Sequence, residues 1–496
     1  MSYRPQISEP DAFLYRVGTL DYTKSSLAKL FVWLLWGDLC YMLMESVVPS
    51  ILPLQFQKLG ASNTTIGLIM TTIPMAITAV VNPIVSFRSD RYRSRFGRRI
   101  PFIVATLPFL VLSLFALGYS NAIGAWFHRS YGITLGMSPT ASIVWTIGIF
   151  VVAFTFFNSF VSSVFWYLFN DVVPEKLLAR FMSLFRLVSM MSASIYNLFV
   201  FRYAGTHSTE ILVGAGLLYF FGFGLMCLMV KEGRYPQPPA YVDGQSGILS
   251  AVKSFAKECL TLPHYWLLFS TSVFSSLAGA ASIFMLFFYQ STGLDLIQIG
   301  RVNGAMNIAV AVMIPISGLL ADRYSPIRVV LAGYILTLVL ALPASLIWLF
   351  WHPLPGAAFW FWIFVSIALT APATALLGIY DPPLLMVTFP RSRYGQYCSA
   401  NAMLRSLAGI AGGLLAGVFF DLMKHFVRQS DVYRFMPLWQ FAFSLPAMIC
   451  MLHLYRSWKR YGGDKSYVPP IPGETVDEVR HEEIAEEEIG VTVAAR

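Results

Sequence analysis

The chain has 496 residues, of which 56% are hydrophobic, 15% aromatic and only 12% charged, with a formal net charge of +9. A soluble globular domain carries about 25% charged residues, so this composition excludes a disordered or collagen-like chain, a small disulfide-stapled domain and a large soluble enzyme. What remains is a polytopic membrane protein whose basic residues answer to a lipid bilayer and not to nucleic acid.

Residues 1–28 are polar and contain Pro5 and Pro10. No cleavable signal is visible in this N-terminal segment, so the first apolar run is expected to act as its own anchor. A spanning helix needs about 20 mostly apolar residues. Runs of that length fall near 30–53, 64–87, 100–120, 141–169, 179–201 and 211–230, then near 266–289, 297–320, 329–351, 357–388, 398–422 and 435–455. The first six fill 29–230 and the second six fill 264–456. The segment 231–263 between them opens Lys231-Glu232-Gly233-Arg234 and offers an amphipathic stretch, Gly247 to Leu260, which predicts a helix lying on the membrane surface. The tail 457–496 is polar and holds an acidic run from Glu482 to Glu488, the pattern of a solvated segment. The five cysteines are scattered without a CxxC and read as small apolar fillers, so neither a disulfide framework nor a metal site is expected.

Lys and Arg concentrate on the side shared by the two ends. That bias places both termini in the cytoplasm and predicts an integral protein of a bacterial inner (plasma) membrane. The halves also echo each other. Asp90-Arg91-Tyr92 follows the second run, and Asp322-Arg323-Tyr324 follows the eighth. The fold expected is an all-α membrane protein with twelve transmembrane helices in two pseudo-symmetric six-helix bundles, the architecture of alternating access.

An ionisable group inside a spanning helix costs at least ~2.5 kcal/mol at the centre and marks a cavity or a pair. Asp38 lies roughly 12 Å into the first run at 1.5 Å per residue, and Glu45 falls two turns later on nearly the same face, with Tyr41 between them. A carboxylate accepts hydrogen bonds from hydroxyl groups of a solute, and an aromatic ring covers an apolar face. The competing reading is a structural ion pair with Arg186 or Arg405, which sit inside the fifth and eleventh runs. Asn158 and Trp166 in the fourth run are polar and stacking candidates, although a tryptophan there also suits plain packing. Asp381-Pro382-Pro383 is expected to break the tenth helix and free backbone carbonyls, for gating or for a substrate contact. Asp90, Arg91, Arg95, Arg98, Arg99, Asp322 and Arg323 form a candidate gate, since acids and arginines at helix ends can pair in one state and part in another. No HExxH or GxSxG constellation is present, which argues against an embedded enzyme.

Gly318-x3-Asp322-Arg323 resembles the loop signature of the major facilitator superfamily. The longer version from Ser89 to Ile103, preceded by Asn82-Pro83 and ending Arg98-Arg99-Ile100-Pro101-Phe102-Ile103, is similar to the expanded form in the glycoside–pentoside–hexuronide and sucrose-type symporters. That resemblance implies a secondary transporter of a sugar or glycoside, working without a cofactor and as a monomer. It also implies that Asp38, in Trp36-Gly37-Asp38, binds sugar, that Arg186 lies near the substrate, and that Trp166, in Phe165-Trp166-Tyr167-Leu168, stacks on a sugar ring. The chain departs from the sodium-coupled pattern, because Thr78 and Asn82 stand in the second run where acids hold the cation and the fourth run has no acid before Asp171; Thr155 stands where sucrose-type symporters carry the proton-binding acid of that run. A melibiose-type sodium site is therefore not expected. Proton coupling through Asp38 or Glu45 is favoured, with an uncoupled facilitator, or a carrier of a drug, organic acid or nucleoside, as the alternatives.

Overall fold

The computed structural model describes residues 15–233, 235, 260–350, 356–390, 393–428 and 431–470. Twelve helices among them are long and apolar enough to cross a bilayer. In chain order these are α1 (Lys24–Lys58), α2 (Asn63–Arg91), α3 (Ile100–Gly118), α4 (Pro139–Val172), α5 (Arg180–Tyr203) and α6 (Ser208–Met229). There follow α7 (Pro263–Ser291), α8 (Leu296–Ile316), α9 (Pro326–Ile347), α10 (Gly356–Gly378), α11 (Tyr394–Met423) and α12 (Val432–Arg460). The helix of α5 begins at Glu175, and those of α8 and α10 continue to Arg323 and Thr388. All of the predicted surface helix at 247–260 except Leu260, and the acidic run, lie outside the described residues.

Local chemistry explains where several helices start. Ser62 and Ser138 accept hydrogen bonds from the Thr65 and Ala141 amides, and Asp295 and Gln298 cap each other's backbone at the head of α8. Pro139, Pro263, Pro326 and Pro437 sit in first turns, where the missing N–H has no helical partner to lose. One element has no clear signal in the sequence. A short hairpin of β1 (Tyr15–Val17) and β2 (Leu20–Tyr22), turning through Gly18 at φ 55°, precedes α1.

The tenth helix corrects an expectation. Its backbone stays helical from Gly356 to Thr388, straight through Asp381-Pro382-Pro383. The two prolines withhold only the N–H groups owed to the carbonyls of Gly378 and Ile379. The bonds on either side hold the register, a lapse that spanning helices tolerate.

Contacts divide the chain into two compact units, Met1–Leu54 with Ile77–Ala240, and Gln55–Ala76 with Tyr241–Arg496. In the first, α3 packs on α4 and α6, and an aromatic core gathers Phe165, Phe169, Phe181 and Phe185. In the second, α7 packs on α11 and α12 around Tyr265, Phe269, Phe389, Tyr397 and Trp458. The start of α2 also lies against α11 in this unit. A Cβ on Gly67 would come within 2.2 Å of the Gly413 carbonyl, and one on Gly417 within 2.5 Å of the Asn63 carbonyl, so the two backbones meet where side chains are missing. Asp421 then caps the head of α2, accepting from the Asn63 and Thr64 amides at 3.1 and 2.7 Å. Large apolar side chains such as Phe109, Trp145, Phe221 and Phe364 are exposed on helix surfaces, which is what a lipid-facing exterior requires.

Candidate functional site

Two carboxyls are embedded in the first unit, and small residues place them. Gly37 on α1 sits where a Cβ would come within 2.9 Å of Met226, and Gly222 on α6 leaves room for the Cys40 thiol. α1 therefore lies close on α6, and the Trp36 indole N–H fixes the contact by donating to the Gly222 carbonyl at 3.1 Å. This seating turns Asp38 toward α5. Asp38 is completely buried, and the Ser189 hydroxyl donates to its Oδ2 at 2.8 Å. Its other oxygen, Oδ1, has no partner among the described residues.

Glu45, two turns on, faces α4. Asn158 donates its Nδ2 to Oε1 of Glu45 at 2.5 Å, and the Tyr41 hydroxyl interacts with Glu45, Asn158 and Ser162. The Tyr41 ring is buried against Phe165, Tyr219 and Phe223. Packing therefore holds the ring, while its hydroxyl reaches the carboxyl. Arg186 is exposed on α5 and interacts with Asp38 electrostatically, but no ion pair between the two is present among the described residues. Trp166 is 42% exposed and meets Phe169 and Phe185 edge-on.

A second charged assembly closes the arginine-rich end of the same unit. Arg98 grips Asp171, at the end of α4, through Nε and Nη2 at 2.9 and 2.6 Å. Arg99 donates to Asp171 at 2.9 Å, to Ser89 at 2.5 Å and to Asp90 at 2.5 Å. Glu232, just beyond α6, caps the head of α3 by accepting from the amides of Arg98, Arg99 and Ile100 at 2.9, 2.9 and 2.6 Å. Gly97 makes room for this cap, since it sits at φ 102° and a Cβ there would fall 2.4 Å from the Glu232 carboxyl carbon. Tyr235 donates to Glu232 at 3.1 Å and lies under the Arg98 guanidinium. The bonds to Asp171 hold Arg98 above the usual guanidinium range, and burial with Glu232 nearby pushes the Tyr235 phenol up.

A family model described as the Major Facilitator Superfamily matches residues 34–413. The chain belongs to that superfamily. Solved structures agree on the fold. A bacterial homologue of the human lysosomal transporter Spinster, in an inward-facing and occupied conformation, is 15% identical with a TM-score of 0.64, covering 88% of this chain and 99% of the other. The nucleoside transporter NupG is 13% identical at 0.61, covering 86% and 100%. The xylose transporter XylE from E. coli, inward open, is 13% identical at 0.52, covering 92% and 98%. This is a transporter fold and not an enzyme.

Of the sequence candidates, the structure brings Tyr41, Glu45 and Asn158 together, and it brings Asp90, Arg98 and Arg99 together. Arg91 is half-buried at the end of α2, while Arg95 lies over the ring of its neighbour Phe96. Arg323 is exposed beside Tyr324, and Arg405 is exposed on α11, its carbonyl accepting from Ser276. The side chains of Asp322 and Asp381 lie outside the described residues. Ser189, Asp171 and Glu232 complete the two assemblies, and sequence reasoning assigned none of them a role. Thr78 meets Ser159 at 3.3 Å, and Ser163 donates to Asn82 at 2.8 Å.

Proposed function

We propose that this superfamily member is a proton-coupled symporter of a sugar or glycoside, with Asp38 carrying the proton. One observation carries the coupling. A fully buried carboxyl holds one hydrogen bond and, among the described residues, has one unpartnered oxygen and no ion pair. An isolated buried carboxylate is too costly to keep ionised, so the group holds a proton in this conformation and releases it when water reaches it in another. Glu45, satisfied by Asn158, is the second acid on the same helix face.

The solute class draws support from the neighbours, since one carries xylose and another nucleosides, which contain a pentose. Arg186, exposed on α5 within the electrostatic reach of Asp38, is the donor to substrate hydroxyls, with Trp166 on α4 as the stacking surface. The Arg98–Arg99–Asp90–Asp171–Glu232 assembly acts as the gate at the basic end, which the Lys and Arg bias puts in the cytoplasm with both termini. The six-helix halves 29–230 and 264–456 are the moving bodies of a transporter complete in one chain.

Proteoliposomes test both claims. An imposed pH gradient, inside alkaline, should drive accumulation of the sugar by the wild type. Asp38→Asn should lose accumulation while retaining sugar counterflow. Accumulation that survives Asp38→Asn removes the coupling role. Wild-type liposomes that show no sugar counterflow remove the solute assignment.

A further inference from the structure

The second unit contains a cavity of about 520 Å³ built entirely from its own helices, α7, α8, α9, α10 and α12. That volume lies within the roughly 300–1,000 Å³ range of small-molecule sites. Among the described residues, no Asp, Glu, Lys, Arg or His lines it. Its polar lining consists of carboxamides and hydroxyls, with Asn303, Ser366, Thr370, Thr374, Gln440 and Ser444 among them. The Ser366 hydroxyl is buried and has no partner among the described residues. Met285, Phe288, Ile363 and Met436 supply apolar walls.

Irregular helix geometry accompanies the cavity on two sides. α9 widens into a π turn over Thr337–Ala341, and both end residues of that turn line the space. α7 tightens into a 3-10 turn over Ala281–Phe284, immediately before the lining residue Met285. Such departures from α geometry recur at functional sites.

We propose that this cavity binds an uncharged, polyhydroxylated ligand the size of a mono- or disaccharide. A charged ligand would shed its water at a cost of several kcal/mol per ion, with no counter-charge on the wall to offset it. A carboxamide presents a donor and an acceptor side by side, which matches a pair of adjacent hydroxyls. Asn303 on α8 and Gln440 on α12 supply two such groups from different helices, and the apolar walls suit the ring faces. The shared chemistry has two sources, a free sugar or the headgroup of a neutral glycolipid. The site lies in one unit, does not involve Asp38, and stands whether or not the proton-coupling assignment does.

The test is thermal unfolding of the full chain in lipid nanodiscs with methyl glucoside, maltose or sucrose, and with glucuronate as the charged counterpart. A parallel arm dopes the discs with monoglucosyl diacylglycerol, compared with diacylglycerol alone. Because a ligand that binds only the native state must raise Tm, a saturable rise is expected with at least one neutral probe and none with glucuronate. The rise should fall in Asn303→Ala and in Gln440→Leu. A response to soluble sugar assigns the site to a free solute, and a response to the glycolipid alone assigns it to a headgroup. Should the two amide variants fail to fold, the milder Ser366→Ala and Thr374→Val must each shrink the rise. The proposal is overturned by the absence of a rise with every neutral probe, by an equal rise with glucuronate, or by a rise unchanged in the cavity variants.

Discussion

Between α2 and α3, the segment Tyr92–Arg99 follows Asp90-Arg91, whereas only Tyr324 and Ser325 separate Arg323 from Pro326 at the head of α9. The longer loop turns back at Gly97, φ 102°, and delivers Arg98 and Arg99 to the head of α3, where Asp171 and Glu232 await them. The shorter loop leaves Arg323 exposed beside Tyr324, and the nearby Arg328 on α9 pairs with Asp464 beyond α12. Burial separates the two outcomes. The Arg99 and Asp171 side chains are 5% and 9% exposed, while Arg328 and Asp464 are 43% and 40% exposed. The same three-letter signature thus yields a desolvated network in one half and a screened surface pair near the other. Loop length and the acids supplied by other helices make the difference.

That contrast can be broken in graded steps. Asp171→Ala removes the carboxylate shared by Arg98 and the almost wholly buried Arg99, leaving Arg99 with Ser89 and the half-exposed Asp90. It is expected to cost about 3–5 kcal/mol, as for other broken buried pairs, read as a fall in the unfolding midpoint of the purified protein. Glu232→Ala removes the acceptor for three amides at the head of α3. The loss expected is about 1–3 kcal/mol, the scale of buried donors left unsatisfied, measured by the same unfolding assay. Arg328→Ala is expected to change stability by less than about 1 kcal/mol, because water and salt already screen the pair. A loss from Arg328→Ala that matches Asp171→Ala would erase the distinction between the two ends.

How far the site was legible follows from where its partners lie. Asp38 and Glu45 stand out because an acid inside an apolar run is rare and seven residues return to nearly the same helix face. Ser189 and Asn158 do not stand out, since one serine or asparagine in a membrane helix looks like any other until a carboxyl faces it across 151 or 113 positions of sequence. Arg98 and Arg99 announced a charge cluster, but Glu232 reads as the first acid of a linker, and its task depends on α6 ending beside the head of α3. Asp381-Pro382-Pro383 failed in the opposite sense. Pro-Pro is a strong local signal for a break, and yet the helix continues through it; spanning helices tolerate proline where neighbouring helices, side chains or water satisfy the freed carbonyls.

The sequence by itself determined the number and order of the spanning helices, the all-α class and the two acids of α1, because apolar length, helical period and the cost of a buried charge are local properties. Only the tertiary structure decided which side chain meets each acid, that the head of α2 lies against the glycines of α11, and that the second unit holds a neutral cavity. Those results depend on contacts between residues far apart in the chain, where close packing and desolvation set the energy and no local pattern records the partner.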